Sequence, residues 1–423
     1  MVMLYRVNII ILSISLGLVA CSSESTPADY KVIGLTDQSA ACQINQDICV
    51  RTHLFRQVTY RNNEVLLTYD SQQKDEVADD ILKKYNMRAK RSDTLSSIQT
   101  KMITASTGGR DPYDLAKLIK QNEKQVDANT NNIFVSTSLD NTNTNNANVE
   151  PYPLGLTGIE ALRSQTRGKG VLIGMIDTPV DMTHKDLGNS LERINLITQG
   201  SKENLVHGTE VAGVIVSQNP RIGIAPDAKL LAISAFSANP SKPSERNSDS
   251  SLVANALEKA IERKVDILNL SFAGGSDPVV DKLVETAVKK GIIVVASAGN
   301  GGPSAKPAYP AALPGVIAVT AVDKGEGVFR MANRGSYIDL AAPGVGIFTT
   351  APDNSFSVSS GTSLATAHAT GVIALLLSVK RNSFRPNLLN DTAIDLGKSG
   401  WDEDYGYGLI SAERALNKLT ANH

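Results

Sequence analysis

The chain has 423 residues, with 42 basic and 43 acidic side chains and a formal net charge of −1. That balance excludes a general nucleic-acid binder, which needs a basic surplus, and a hydrophobic content of 42% excludes wholesale disorder. The length fits one large or two modest domains with extras, and three cysteines are too few for a disulfide scaffold.

The first segment, residues 1–20, reads as an export signal. Arg6 supplies the positive charge, and Ile9 to Leu18 form an apolar stretch too short to span a bilayer. Leu18-Val19-Ala20-Cys21 resembles the bacterial lipobox, which predicts cleavage before Cys21 and lipidation of that residue. Several acyl chains on one cysteine would hold a protein stably at a membrane, where one chain binds only marginally. Ser22 after the cysteine resembles lipoproteins sorted to an outer membrane; the alternative is an ordinary signal peptide with a chance cysteine. No later apolar run reaches about 18 residues, so no transmembrane helix is expected after processing. Export implies an oxidising compartment. Cys42 and Cys49 are then a candidate disulfide, worth roughly 2–3 kcal/mol by loop closure, against the alternative of two free thiols.

Residues 21–62 read as a polar tether and a small segment with strands at 49–54 and 57–60, for which the sequence suggests no chemistry. Residues 63–138 have the pattern of a small α+β unit of order β-α-β-α-β. Residues 64–70 have strand composition, and Val77, Ala78, Ile81, Leu82 and Tyr85 share a helical face. Asp111 and Pro112 open a second helix, and residues 132–137 close the unit as a strand. An Asn/Thr-rich linker, 139–155, follows. From 156 to 421, short β-branched runs (171–176, 229–234, 265–271, 291–298 and 315–322) alternate with helical stretches (211–218, 252–263 and 282–290). That alternation predicts an α/β fold with a mostly parallel sheet covered on both faces. Sites in such folds gather at the carboxyl ends of the strands.

Three motifs fall there. Asp177 ends the run 171–176, His207 opens His-Gly-Thr-Glu-Val-Ala-Gly, and Ser363 stands in Gly-Thr-Ser-Leu-Ala-Thr-Ala-His before a long apolar helix. A serine hydroxyl is too weak an acid to attack an amide unaided. An imidazole can take its proton, and a carboxylate can fix the ring's tautomer and stabilise its charged form. A helix N-terminus behind Ser363 aims free N–H groups at a developing oxyanion. Asn300, in Ala-Ser-Ala-Gly-Asn-Gly-Gly just past a buried run, can add a side-chain donor. Singly these residues have duller readings: a strand-end carboxylate, a helix-capping histidine, a serine N-cap, a turn asparagine.

The order Asp177, His207, Asn300, Ser363 resembles the subtilisin family of serine peptidases over residues 156–421. The segments Gly223–Pro226, Ala308–Ala311, Leu340–Gly344 and Gly406–Ala412 support the likeness. The resemblance implies a subtilisin-like fold and peptide-bond hydrolysis. It implies a substrate strand along Asn269–Gly274, with Ser271, Phe272, Ala273 and Gly274 as contacts, and a primary pocket edged by Ser297, Ala298 and Gly299. It also implies that 63–138, ferredoxin-like in element order, is a propeptide that chaperones folding and inhibits the enzyme, with self-cleavage in the linker. The expected whole is a lipid-anchored serine endopeptidase of the bacterial cell envelope, made as a zymogen. Its partners would be protein or peptide substrates, its own prodomain and a membrane through Cys21, with release of the catalytic domain after processing.

The chain departs from the family at Pro179, Glu210, Ala273 and Ala367, where Gly, His, Gly and Pro are usual. None of these removes a catalytic atom. The alternative they raise is a weak or inactive pseudo-peptidase that binds peptides or a partner. His184 and His368 are read as structural. No cofactor is required by this chemistry. Ca²⁺ is possible, with Asp181 and Asp186 as candidate ligands, but the short loop 217–222 does not support it, and no zinc spacing occurs.

Overall fold

A computed structural model describes residues 43–45, 48–53, 56–136, 151–197, 204–239 and 242–421. Cys21, Cys42 and residues 137–150 lie outside the described residues, and with them the lipidation site, the disulfide and most of the linker.

The amino-terminal part runs β1 (Gln43–Asn45), β2 (Ile48–His53), β3 (Arg56–Asp70), α1 (Glu76–Lys84), β4 (Arg88–Leu95), β5 (Thr100–Ser106), α2 (Pro112–Asn122) and β6 (Asp127–Ser136). The two helices form where expected. Asp111 caps α2 by accepting from the Asp114 N–H, with Pro112 at the first helical position. The expected single middle strand is instead the antiparallel pair β4–β5. Most of β4 is exposed, with Arg88, Lys90, Ser92 and Thr94 facing solvent, which conceals its strand character in the sequence. β3 is one long strand of 15 residues; its start pairs with β2 and its end with β5 and β6.

Alternation along β3 divides the unit's apolar side chains between two cores. Val65, Leu67 and Tyr69 pack with Ile81, Leu115 and Ile119 beneath α1 and α2. Leu66, on the opposite face, joins a different cluster that includes Phe134 and the helices of the second half.

The second half runs α3 (Tyr152–Leu156), α4 (Ile159–Arg163), β7 (Leu172–Asp177), β8 (Leu191–Asn195), α5 (Val206–Val216), β9 (Lys229–Ser234), β10 (Ser237–Asn239), β11 (Lys242–Asp249), α6 (Ser250–Glu262), β12 (Ile267–Leu270), β13 (Phe272–Gly274), α7 (Pro278–Lys289), β14 (Ile293–Ser297), β15 (Ile317–Val322), β16 (Leu340–Pro343), β17 (Ile347–Ala351), β18 (Ser355–Ser359), α8 (Thr362–Lys380), α9 (Asn387–Thr392) and α10 (Ala412–Ala421). Seven strands form a sheet in the order β16-β15-β14-β12-β7-β9-β8, parallel at every pairing. The core on one face contains α5, α8 and α10, and the core on the other contains α6 and α7. This is the α/β architecture the sequence predicts.

α8 is apolar all round and long enough to cross a membrane by length and composition. From Thr362 to Leu377 every residue is buried against protein, so it is the central helix of the fold. The sequence places an apolar helix directly after Ser363, and the polar Thr, His and Ser side chains within it keep it from being an unbroken apolar run.

Candidate active site

The parallel strands deliver Asp177 to the carboxyl end of β7. Its backbone carbonyl accepts from the Ala235 and Phe236 N–H groups, which fixes the turn after β9 beside it. Its Oδ1 accepts from the Thr178 N–H at 2.6 Å and lies 2.5 Å from His207 Nδ1. Both side chains are buried. A carboxylate accepts only, so Nδ1 carries the proton and donates, which leaves Nε2 as the nitrogen able to accept a proton. His207 Nε2 is buried and has no hydrogen-bond partner.

His207 reaches Asp177 because α5 approaches the strand end very closely. The Gly208 N–H donates to Thr178 Oγ1 at 2.8 Å, and a Cβ at position 208 would stand 2.3 Å from the Thr178 carbonyl oxygen. Any side chain there would push the helix, and His207 with it, off the carboxylate. Thr178 is thus a positioning residue that the sequence reading passed over. Its signal was the glycine after the histidine.

Ser363 is the second residue of α8, fully buried. Its carbonyl accepts from Ser271 Oγ at 3.2 Å, and Ser271 Oγ in turn accepts from Asn269 Nδ2 at 2.9 Å. This chain ties the start of α8 to the end of β12 and the start of β13. Asn300 Oδ1 accepts from the Thr362 N–H (3.2 Å) and from Thr362 Oγ1 (2.9 Å). Its amide oxygen is therefore committed to the residue next to Ser363, and the NH₂ end of the amide can only donate. Thr362, which orients that amide, was also missed in the sequence. The structure thus joins Asp177 to His207 and Asn300 to the start of α8. No hydrogen bond links Ser363 to His207 Nε2 here.

The segment expected to receive substrate is β13. β6, from the amino-terminal half, lies on it antiparallel, with Ser136 opposite Phe272, Val135 opposite Ala273 and Phe134 opposite Gly274. On its other side β6 pairs with β11. Phe134 is fully buried. Its ring meets Phe272 edge-on at 5.8 Å, and Phe272 packs on Phe236 at 5.0 Å. Gly274 makes the space, since a Cβ there would lie 2.4 Å from the Phe134 ring. Of the other expected contacts, Ser297 Oγ donates to the Phe272 carbonyl, the Ala298 carbonyl accepts from Tyr337 Oη, and the Gly299 N–H donates to Thr362 Oγ1.

Among the departures, Glu210 accepts from Ser357 Oγ at 2.7 Å on β18. Pro179 lies in the loop against Gly208, and Ala367 is buried in α8. Neither Glu210 nor Pro179 is hydrogen-bonded to the Asp177–His207 pair among the bonds described. His184 accepts from the Asp186 N–H and donates through Nε2 to the Ser355 carbonyl, tying the loop after β7 to β18. His368 donates to the Leu364 carbonyl, and burial pushes its pKa down to about 4, so its ring is neutral. Asp181 accepts at Oδ1 from Thr183 and at Oδ2 from the Asp353 N–H, and Asp186 accepts from Asn219. Both are occupied as loop braces. Among the described residues no cluster of three or more His, Cys, Asp or Glu could hold a metal ion.

Residues 168–408 match the subtilase family. The chain belongs to that family. It is 34% identical over 278 residues to subtilisin E of Bacillus subtilis (strain 168), covering 63% of this chain and 71% of that one. It is also 34% identical to a subtilisin of Bacillus pumilus, 98% of whose length is matched. Among solved structures it is similar to fervidolysin from Fervidobacterium pennivorans, a keratinolytic enzyme related to subtilisin, with a TM-score of 0.69 at 23% identity. That match covers 93% of this chain but only 65% of fervidolysin's. The chain is thus a subtilisin-like serine endopeptidase by family and by fold.

Proposed function

We propose that the chain is an exported, lipid-anchored serine endopeptidase made as a zymogen, with Asp177, His207 and Ser363 as its triad. The observation that carries this reading is the buried Asp177–His207 pair with Nε2 left as an unpartnered acceptor, at the same sheet end as the N-terminus of α8. Ser363 Oγ attacks the scissile carbonyl as its proton passes to His207 Nε2. The oxyanion is held by the Ser363 N–H and the Asn300 NH₂ group. Nε2 then returns the proton to the departing amine, and water, deprotonated by the same nitrogen, releases the acyl group from Ser363. Asp177 keeps the proton on Nδ1 throughout and stabilises the imidazolium.

The zymogen reading is supported by β6. A strand from the chain's own amino-terminal half lies where a peptide substrate would pair, so 63–138 acts as an inhibitory prodomain until the segment beyond it is cut. Cys21 carries the lipid in this reading, Cys42 and Cys49 are bridged, and the envelope is the enzyme's place of action.

The test is the full chain and its Ser363→Ala form, compared by fluorophosphonate labelling and intact mass. The expected result is labelling and cleavage between 138 and 155 in the first and neither in the second. A Ser363→Ala protein that still processes itself, or a folded parent that no fluorophosphonate labels, overturns the assignment in favour of a peptide-binding pseudo-enzyme. A mature mass lacking residues 1–20 and carrying acyl chains tests the anchor.

A further inference from the structure

Past the end of β14 the chain turns at Gly299, whose φ of +100° lies in the left-handed region, and the turn presents Asn300. Residues 333–337 hold three backbone groups around that turn. Tyr337 Oη donates to the Ala298 carbonyl at 2.7 Å. The Asn333 N–H donates to the Gly299 carbonyl at 3.0 Å. Asn333 Oδ1 accepts from the Gly301 N–H at 2.7 Å. The backbone on both sides of Asn300 is therefore anchored from this segment, while Thr362 holds the Asn300 amide oxygen from α8. The fit is close: a Cβ at position 299 would lie 2.7 Å from Asn333 Nδ2.

Tyr337 is the node of this brace. Its hydroxyl is also hydrogen-bonded to the Ala308 backbone and the Asn333 side chain. The residue after Ala308, Tyr309, pairs with Gly274 at the end of β13 through both of its backbone groups. One phenol thus joins the Asn300 turn to the strand expected to receive substrate. Burial pushes this phenol above its ordinary range, so it keeps its proton and donates at neutral pH. A phenylalanine would fill the same space and leave the Ala298 carbonyl without this donor.

We propose that Tyr337 is a positioning residue for the oxyanion donor, its hydroxyl fixing, through the Ala298 carbonyl, the turn that presents the Asn300 amide. The inference rests on the peptidase reading above. A side-chain donor stabilises an oxyanion only when it is aimed at the place where charge develops, and a small misplacement forfeits much of the effect. The bound substrate does not depend on that donor, so the loss falls on kcat and not on KM.

The experiment measures kcat and KM of the full chain, matured by its own processing, on one fluorogenic peptide, with active sites counted by fluorophosphonate labelling. Tyr337→Phe is expected to lower kcat about tenfold and to leave KM within about twofold. In an Asn300→Ala background the same substitution is expected to change kcat by less than about twofold, because the group it aims is gone. Asn333→Ala, which loosens the turn from the Gly301 side, should show the same coupling and serves where Tyr337→Phe does not fold. Where a variant matures too slowly, the rate of its own cleavage between 138 and 155 is compared in the two backgrounds. Equal losses in both backgrounds, or a rise in KM with kcat unchanged, overturn this inference alone. A parent chain that neither cleaves the peptide nor takes the fluorophosphonate overturns the peptidase reading, and this inference with it.

Discussion

Replacing Phe134 with alanine should open the cleft without unfolding the molecule. The ring is fully buried and edge-on to Phe272. Burial of a phenylalanine side chain stabilises by about 1.5–3 kcal/mol, and an aromatic pair adds about 0.5–1.5 kcal/mol. The backbone pairing of β6 with β11 and β13 is untouched by the change. Loss of about 3 kcal/mol from the seat of β6 corresponds to a rise of about 150-fold in the population of the open form. The assay is amide hydrogen exchange on the full chain in a Ser363→Ala background, which keeps processing out of the measurement. Phe134→Ala should speed exchange at residues 134–136 by about two orders of magnitude and leave β7 and β12 protected. Leu118→Ala, at a side chain 46% exposed, should change neither. Unaltered exchange in β6 would refute the idea that the Phe134 pocket holds the strand in place. Equal acceleration in β7 and β12 would show that the ring supports the whole fold and not the closed cleft.

Asn300→Ala should lower kcat by about 10²–10³-fold with little change in KM, because the lost donor acts on the oxyanion and not on the bound substrate; steady-state kinetics on one peptide decide it. Gly208→Ala should abolish turnover by moving α5 off the Thr178 carbonyl, and fluorophosphonate labelling at Ser363 should fall with it. Asp339, whose Oδ2 accepts from the Ala318 N–H, has its pKa raised to about 6 by burial. The folded state then binds the proton more tightly than the unfolded one, so this group's contribution to stability falls as pH rises from 4 to 6. Asp339→Asn should therefore raise Tm at pH 7 and leave it nearly unchanged at pH 4, as thermal melts at the two values would show.

The catalytic half was legible in the sequence because each of its motifs is local. Asp177 follows a β-branched run, His207 carries its helix and its obligatory glycine within two residues, and Ser363 stands at the head of an apolar helix. Strand alternation and helix periodicity were enough to expect all of them at one sheet end, where the structure joins Asp177 to His207. What was not legible depends on pairing between distant segments. Nothing local to Arg88–Leu95 announces a strand, because its polar side chains face solvent. β10 and β11 lie in a polar stretch with little apolar alternation, and they acquire strand geometry by pairing with each other and with β6. Thr362 and Thr178 looked like ordinary motif residues, since a hydroxyl's partner is set by whatever the fold brings to it.

The same alternation that hid the joint between the two halves also explains its strength. A four-stranded layer, β4-β5-β3-β6, covered by α1 and α2 on one face would be an ordinary small domain if its other face were polar. Here that face carries Leu66, Leu95, Ile98, Met102 and Phe134, all buried in the core shared with α6 and α7. Beside them lies a buried polar contact: Asn132 Nδ2 and Ser250 Oγ both donate to Asp277, the N-cap of α7, whose carboxyl is held above its ordinary range by burial. Separating the halves would expose that apolar face to water and take a donor from a buried acid. Both costs fall on the amino-terminal unit and its contact surface, and neither falls on the Asp177–His207 pair. If the chain is a zymogen, its inhibitor is thus stable chiefly in place, and cutting the segment beyond β6 commits the unit to loss of structure once it leaves. The grip on the cleft and the fold of the inhibitor are then one interaction, which is why a single ring at position 134 is expected to report on both.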